Sequence, residues 1–364
     1  MSKNTVNVAI AGVGNATSAF VQSLLFYGNN PEKSQNLTFP MIGGLSIDSI
    51  KIVAAFDVSV TKVGKKVSEA IFAEPNVTPK YVDPAELEQL SLTVLRGPLL
   101  DGINKTVEKI VTVDDETPEV NVAEELRKAK AEVLINLIPS GADEATYAYA
   151  QAALDAGCAF VNATPTQVAT LSDWAQKFKK AGIPLVGDDL QSHVGGTRIH
   201  KGIMELLNTF GARVVHTYQL DVSGGAEGLT TLDSSHRMRL MKSAIKTESI
   251  QRAHPGLSND DIASGTTDYL DFLGNQRIGH FWIKSKDFLD GEIHIDITVK
   301  SFDGPNAAGT LVDVVRATKV ALLRAVEGQV ISVSAYGFKN PPVYAHESEA
   351  NSWFREFIDA RRMV

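Results

Sequence analysis

Apolar positions follow one rhythm along the first half of the chain and another after residue 214. The first apolar run, Val6-Asn7-Val8-Ala9-Ile10-Ala11, has strand length and ends at Gly12-Val13-Gly14. Ala16 to Tyr27 carries Phe20, Leu24 and Tyr27 on one side, which predicts a helix. Residues 28–46 are rich in Gly, Asn and Pro and read as a long loop. A second strand, Lys51 to Phe56, ends at Asp57, and a helix is expected from Thr61 to Phe72. Residues 73–118 read as irregular. Helices are then expected at 122–130, 144–156 and 172–180, alternating with strands at 132–137, 159–162 and 184–186.

Strands alternating with helices of this size imply a parallel sheet covered on both faces, with ligands at the carboxyl ends of its strands. Those ends are small or polar: Gly12 to Thr17, Asp57, Pro139-Ser140-Gly141, Asn162 to Pro165 and Asp188-Asp189. From Val214 the pattern alternates with period two. Ile293, Ile295, Ile297 and Val299 share a face, as in an antiparallel sheet with one exposed side. Asn306 to Ala325 reads as a long helix. The expected fold is α/β: a Rossmann-type doubly wound parallel sheet with an inserted α+β domain carrying a largely antiparallel sheet. The boundaries are 1–200 for a dinucleotide-binding domain and 201–305 for a catalytic and oligomerisation domain. Residues 306–364 form a C-terminal helix and tail returning to the first.

With 364 residues and 44% hydrophobic content the chain can bury a large core. Its net charge of -8 argues against general nucleic-acid binding. No apolar stretch is long enough to span a bilayer, and the start of the chain does not read as a signal peptide, so a soluble cytoplasmic enzyme is expected. The lone cysteine, Cys158, reads as a small core residue. The histidines show no metal spacing, and the sequence leaves any metal unassigned.

Gly12-x-Gly14-x-x-Thr17 follows a strand and opens a helix. The first glycine permits a tight turn, the second lets backbone approach a diphosphate, and the helix N-terminus favours the anion. Thr17 stands where a third Gly or Ala is usual. Asp57, closing the second strand, suits the ribose hydroxyls of NAD and disfavours the extra phosphate of NADP. Gly12, Gly14, Asn15, Ala16, Thr17, Asp57, Ser140 and Thr164 are the candidate cofactor contacts.

Beyond this point the chain resembles a family. Gly12-Val13-Gly14-Asn15-Ala16, Val53-Ala54-Ala55-Phe56-Asp57, Arg96-Gly97-Pro98, Val186-Gly187-Asp188-Asp189 and Ser334-Ala335-Tyr336-Gly337-Phe338-Lys339-Asn340-Pro341-Pro342 are similar, in the same order, to segments of myo-inositol-1-phosphate synthases of the bacterial and archaeal branch. The resemblance implies that bound NAD oxidises C5 of glucose 6-phosphate. C6 then loses a proton, the enolate attacks the C1 aldehyde, and the inosose is reduced to 1L-myo-inositol 1-phosphate. Such chemistry needs fixed cations near developing anions and a socket for phosphate. By family position Lys242 steadies or exchanges protons with the reacting oxygens, and Lys246 helps bind phosphate. Lys339 holds the oxygen that gains charge. Asp189 sits by the nicotinamide and helps order the proton network; Asp303 sits near cofactor and lysines, where a lowered carboxyl pKa is expected. Ser192, His193 and Gly195 belong to the phosphate-binding turn. The family is usually tetrameric, which implies a homotetramer formed through the antiparallel sheet, with the exposed face of 291–299 as contact.

The sequence also departs from the family. Arg277 stands where a catalytic lysine is expected; it keeps the charge but cannot readily release a proton. Gly225 and Glu227 replace an asparagine and an aspartate, and Gln191 a common lysine. These changes lie in the substrate half. They leave open a paralogous cyclase acting on another sugar phosphate, such as fructose 6-phosphate, whose C2 ketone would close a five-membered ring. An NAD dehydrogenase that releases NADH and a non-catalytic binding protein are the other classes.

Overall fold

The computed structural model describes residues 5–88, 90–233, 236–254 and 256–364, with the side chains of these residues except 36, 233 and 236–243. Seven parallel strands form the larger sheet. They are β1 (Val6–Ala11), β2 (Ile50–Asp57), β3 (Leu95–Arg96), β4 (Val133–Asn136), β5 (Ala159–Asn162), β6 (Pro184–Val186) and, much later in the chain, β11 (Gly328–Gln329). Their order is β11-β6-β5-β4-β1-β2-β3. The central strands are buried nearly throughout, as a sheet covered on both faces requires. The order reverses at β1, which lies between β2 and β4, so a crevice opens where their following loops diverge.

Helices α1 (Asn15–Asn29), α2 (Val67–Ala70), α3 (Val122–Lys128), α4 (Asp143–Ala156) and α5 (Ser172–Ala181) connect these strands. The helix expected over 61–72 is largely absent. Gly64 takes a φ of +77°, its amide donates to Val94 O, and Val67 N donates to Leu92 O. The backbone is thus drawn toward residues 92–94, leaving only α2. Cys158 is fully buried beside β5.

After α6 (Gly196–Thr209) a four-stranded sheet begins, with β7 (Arg213–Ser223), β8 (Ile262–Tyr269), β9 (Gln276–Lys286) and β10 (Glu292–Phe302) in the order β10-β9-β7-β8. It is antiparallel except for the parallel β7–β8 pair. Helices α7 (Ala226–Asp233) and α8 (His236–Ala253) lie between β7 and β8 in sequence. Strand β7 inverts the usual alternation. Thr217, Gln219, Asp221 and Ser223 are buried, while Tyr218, Leu220 and Val222 are half-buried on the opposite face. Ile295 and Ile297 pair with Ile283 and Phe281. The apolar stripe of β10 therefore shares the face on which β7 buries its polar residues.

The chain then returns to the larger sheet. Helix α9 (Asp303–Leu323) packs along α1, and β11 joins β6. Helices α10 (Ile331–Gly337) and α11 (Glu347–Ile358) complete the fold. No described helix is long and apolar enough to cross a membrane.

Candidate active site

A cavity of about 660 Å³ runs from the glycine turn after β1 to the buried polar face of the small sheet. At the first end the turn is set by Gly12. Its φ is +91°, and a Cβ there would meet the Leu137 carbonyl oxygen at 2.6 Å. Gly14 has no neighbour within 4 Å of where its Cβ would stand, so backbone is open to an approaching group. Helix α1 begins there without a side-chain cap, leaving its first amides for an anion. Thr17 tightens the turn, since its hydroxyl donates to Gly12 O at 2.6 Å. Asn15 Oδ1 accepts from Val77 N and Thr78 N, at 2.8 and 3.0 Å, and so pins residues 77–78 to the turn. Asp57 Oδ2 accepts from Val13 N at 2.7 Å. Its Oδ1 accepts from Val58 N and Ser59 N, at 2.8 and 2.9 Å. An open glycine, an uncapped helix start and an acid at the end of β2 fit the diphosphate and ribose of a dinucleotide.

At the other end, backbone bonds position the charged groups. Residues 188–191 and 337–340 pair through Lys339 N to Asp189 O, Gln191 N to Gly337 O, and reciprocal bonds between Asp188 and Asn340. This pairing sets Lys339 Nζ 2.7 Å from Asp189 Oδ1. Asn275 accepts from Asp303 N and Gly304 N, tying the start of α9 to the approach to β9. Arg277 Nε thereby reaches both oxygens of Asp303, at 2.9 and 2.8 Å. The same guanidinium lies 3.9 Å from Asp221 and 3.7 Å from Glu227. Lys246 Nζ donates to Asp221 Oδ2 at 2.5 Å. This end of the cavity is therefore a set of pairs: Lys339, Lys246 and Arg277 each have a carboxylate.

Burial alone would raise the Asp221 carboxyl, but Lys246 and Arg277 hold it below the usual range. Asp303 goes the other way and corrects the expectation of a lowered value. Burial, with Glu227 and Asp221 nearby, pushes its carboxyl up against the pull of Arg277.

Gly12, Gly14, Asn15, Ala16, Thr17, Asp57, Ser140, Thr164, Asp189, Ser192, Gly195, Lys246, Arg277, Asp303 and Lys339 all line this one cavity. Ser192 and Gly195 lead into the uncapped start of α6, a 14-residue helix, which adds anion-directed amides. His193 is not among the lining residues; its Nε2 lies 2.6 Å from Thr38 Oγ1, and its ring packs against Gly309. The side chain of Lys242 lies outside the described residues. Among the described residues, no group of three or more His, Cys, Asp or Glu could hold a metal. Sequence reasoning passed over Gln219, Asp221 and Lys62, which also line the cavity. The polar alternation Thr217, Gln219, Asp221, Ser223 was the available signal. It is masked by the more apolar set Tyr218, Leu220 and Val222 beside it.

The region 195–304 matches the family model described as myo-inositol-1-phosphate synthase. The inositol-3-phosphate synthase of Mycobacterium tuberculosis is 37% identical over 357 residues, covering 97% of this chain and 95% of that protein. The enzyme of the same name from Corynebacterium glutamicum is 36% identical over 368 residues, covering 98% and 99%. This chain belongs to the inositol-3-phosphate synthase family. It is thus an enzyme of the isomerase type with an intramolecular reaction. Solved structures agree on the fold. The crystal structure of Ari2 superposes with a TM-score of 0.77 at 27% identity, covering 98% of this chain and 99% of that one. A myo-inositol-1-phosphate synthase-related protein from Thermotoga maritima gives 0.78 at 21% identity, with the same coverage. Within the family frame, a Cβ at Gly225 would meet only Asn15 Nδ2, at 3.8 Å. Space is therefore open where the resemblance expects an asparagine side chain.

Proposed function

We propose that this chain is an NAD-dependent sugar-phosphate cyclase that converts glucose 6-phosphate to 1L-myo-inositol 1-phosphate. One observation carries the reading: a single cavity joins a dinucleotide-type glycine turn to the Lys339–Asp189 and Lys246–Asp221 pairs. When bound, NAD supplies hydride acceptance at C5 and hydride return at the end of the reaction. Lys339, steadied by Asp189, would donate a hydrogen bond to the oxygen that gains charge as the ring closes. Lys246 would present its ammonium to the substrate phosphate, sharing that role with the amides at the start of α6. Arg277 would stabilise an anion electrostatically; it would not relay a proton. Lys242 keeps the proton-transfer role that family position assigns it. A homotetramer is part of the proposal. Its contact would include the open face of the small sheet, where Tyr218 stacks on Trp282 at 5.8 Å between ring centroids.

A second reading, fructose 6-phosphate closing to a five-membered cyclitol phosphate, is favoured by two features of the substrate end. Arg277 is surrounded by three carboxylates, and the space beside Gly225 is open. Purified protein with catalytic NAD should be given each hexose phosphate separately and the products resolved by mass spectrometry and phosphorus NMR. A six-membered cyclitol phosphate from glucose 6-phosphate alone supports the main reading. Turnover of fructose 6-phosphate alone replaces it with the second, and steady release of NADH contradicts both.

A further inference from the structure

Lys62 is a buried cation that the proposed chemistry does not use. It is 5% exposed and lines the cavity at the nucleotide end. Its Nζ donates to Asn76 Oδ1 at 3.2 Å and stands 3.8 Å from Asp57 Oδ2. An ammonium has three protons to place, and among the described residues Asn76 is its one hydrogen-bond acceptor. Burial pushes the group below the usual lysine range, with Asp57 acting against that shift. Asn76 is itself fixed, since its Nδ2 donates to Val13 O in the glycine turn and to Ile71 O. The ammonium is therefore held by the same turn that would receive the diphosphate.

Asp57 has matching spare capacity. A carboxylate offers about four acceptor directions. Two on Oδ1 are taken by Val58 N and Ser59 N, and one on Oδ2 by Val13 N. The remaining direction is on Oδ2, the oxygen nearest Lys62. A gap of 3.8 Å is too long for a direct hydrogen bond. It is the width one hydroxyl oxygen can bridge, with two arms of ~2.8 Å meeting at roughly a right angle. Such a hydroxyl gives its proton to Asp57 and takes one from Lys62.

Resting on the dinucleotide reading above, we infer that Lys62 and Asp57 together hold one ribose hydroxyl of the cofactor, and that the pair sets the discrimination against a 2′-phosphate. A phosphate ester at that position has no proton for Asp57 and is repelled by it, yet it is attracted by Lys62. Asp57 is thus the excluding member of the pair and Lys62 the affinity-giving one.

Calorimetric titration of the full-length protein with NAD and NADP tests the assignment, with thermal melting as the folding control. Lys62→Met is expected to weaken NAD binding about ten- to hundredfold, the range for a hydrogen bond from a charged donor. Lys62→Gln keeps a donor for Asn76 and loses the charge; it should show a loss in the same direction should the methionine variant fail to fold. Asp57→Asn is expected to shift the NADP/NAD affinity ratio at least tenfold toward NADP. Adding Lys62→Met to it should remove that gain. NAD affinity unchanged in folded Lys62 variants, or an NADP gain that survives in the double variant, overturns the inference and leaves the dinucleotide reading intact. Wild-type protein that binds neither nucleotide sinks that reading and the inference with it.

Discussion

Replacing Lys246 by methionine separates what the Lys246–Asp221 pair does for folding from what it does for chemistry. The Asp221 side chain is 2% exposed and that of Lys246 12%. Removing one partner of a buried pair costs about 3–5 kcal/mol, because the other charge stays buried without compensation. Here the compensation is partial. Gln219 Nε2 stays 3.2 Å from Asp221 and Arg277 3.9 Å away, so a loss of about 2–3 kcal/mol is expected. Urea unfolding at neutral pH measures it. Adding Asp221→Asn removes the stranded charge and should return about 2 kcal/mol, a coupling within the range for groups in contact. Cyclisation should stay low in both variants, since neither carries an ammonium at 246. A loss under ~0.5 kcal/mol would show that the buried pair is not worth what this argument assigns it. Turnover that recovers together with stability in the double variant would refute the phosphate-binding role.

Gly12→Ala forces a residue with a Cβ to a φ of +91° and into the Leu137 carbonyl. It should lower stability by at least about 2 kcal/mol and abolish NAD binding, read by melting and titration. His200 is fully buried with Nε2 2.7 Å from the Thr217 hydroxyl, and burial pushes its pKa down to about 4. Between about pH 6.5 and 4 the unfolded chain binds a proton that the folded chain refuses. Its contribution is thus fully present above this window and lost as pH falls through it. Comparing His200→Gln with wild type should show that difference directly, as about 3 kcal/mol less acid sensitivity between pH 7 and 4. Lys339→Met should reduce cyclisation by at least about a hundredfold while leaving NAD affinity within a few-fold. An equal loss of NAD affinity would mean that Lys339 serves the nucleotide instead.

The large sheet was legible because its strands bury both faces and its helices bury one, so composition and period point the same way. Strand β5 falls at 159–162 as the apolar run demands. The 61–72 segment was misread because its apolar spacing is helical, and the bonds to residues 92–94 that override it come from afar in sequence. Strand β8, Ile-Ala-Ser-Gly-Thr-Thr-Asp-Tyr, carries no apolar alternation and is held by its parallel pairing with β7. The glycine turn and Asp57 could be placed from local order alone. The pairing of Lys246 with Asp221, and of Arg277 with Asp303, could not. Each joins residues at least 25 positions apart through strand register and the Asn275 staple. The fixed cations expected there are present, and among the described residues Lys339, Lys246 and Arg277 each face a carboxylate.

A labelled substrate tests the redox-neutral cycle most directly. Glucose 6-phosphate carrying deuterium at C5, supplied in ordinary water with NAD at far less than one equivalent, should give a cyclitol phosphate that keeps the deuterium on the former C5. The hydride taken there would then be the one returned. Product without the label, or deuterated reduced nucleotide accumulating with turnover, would contradict the account.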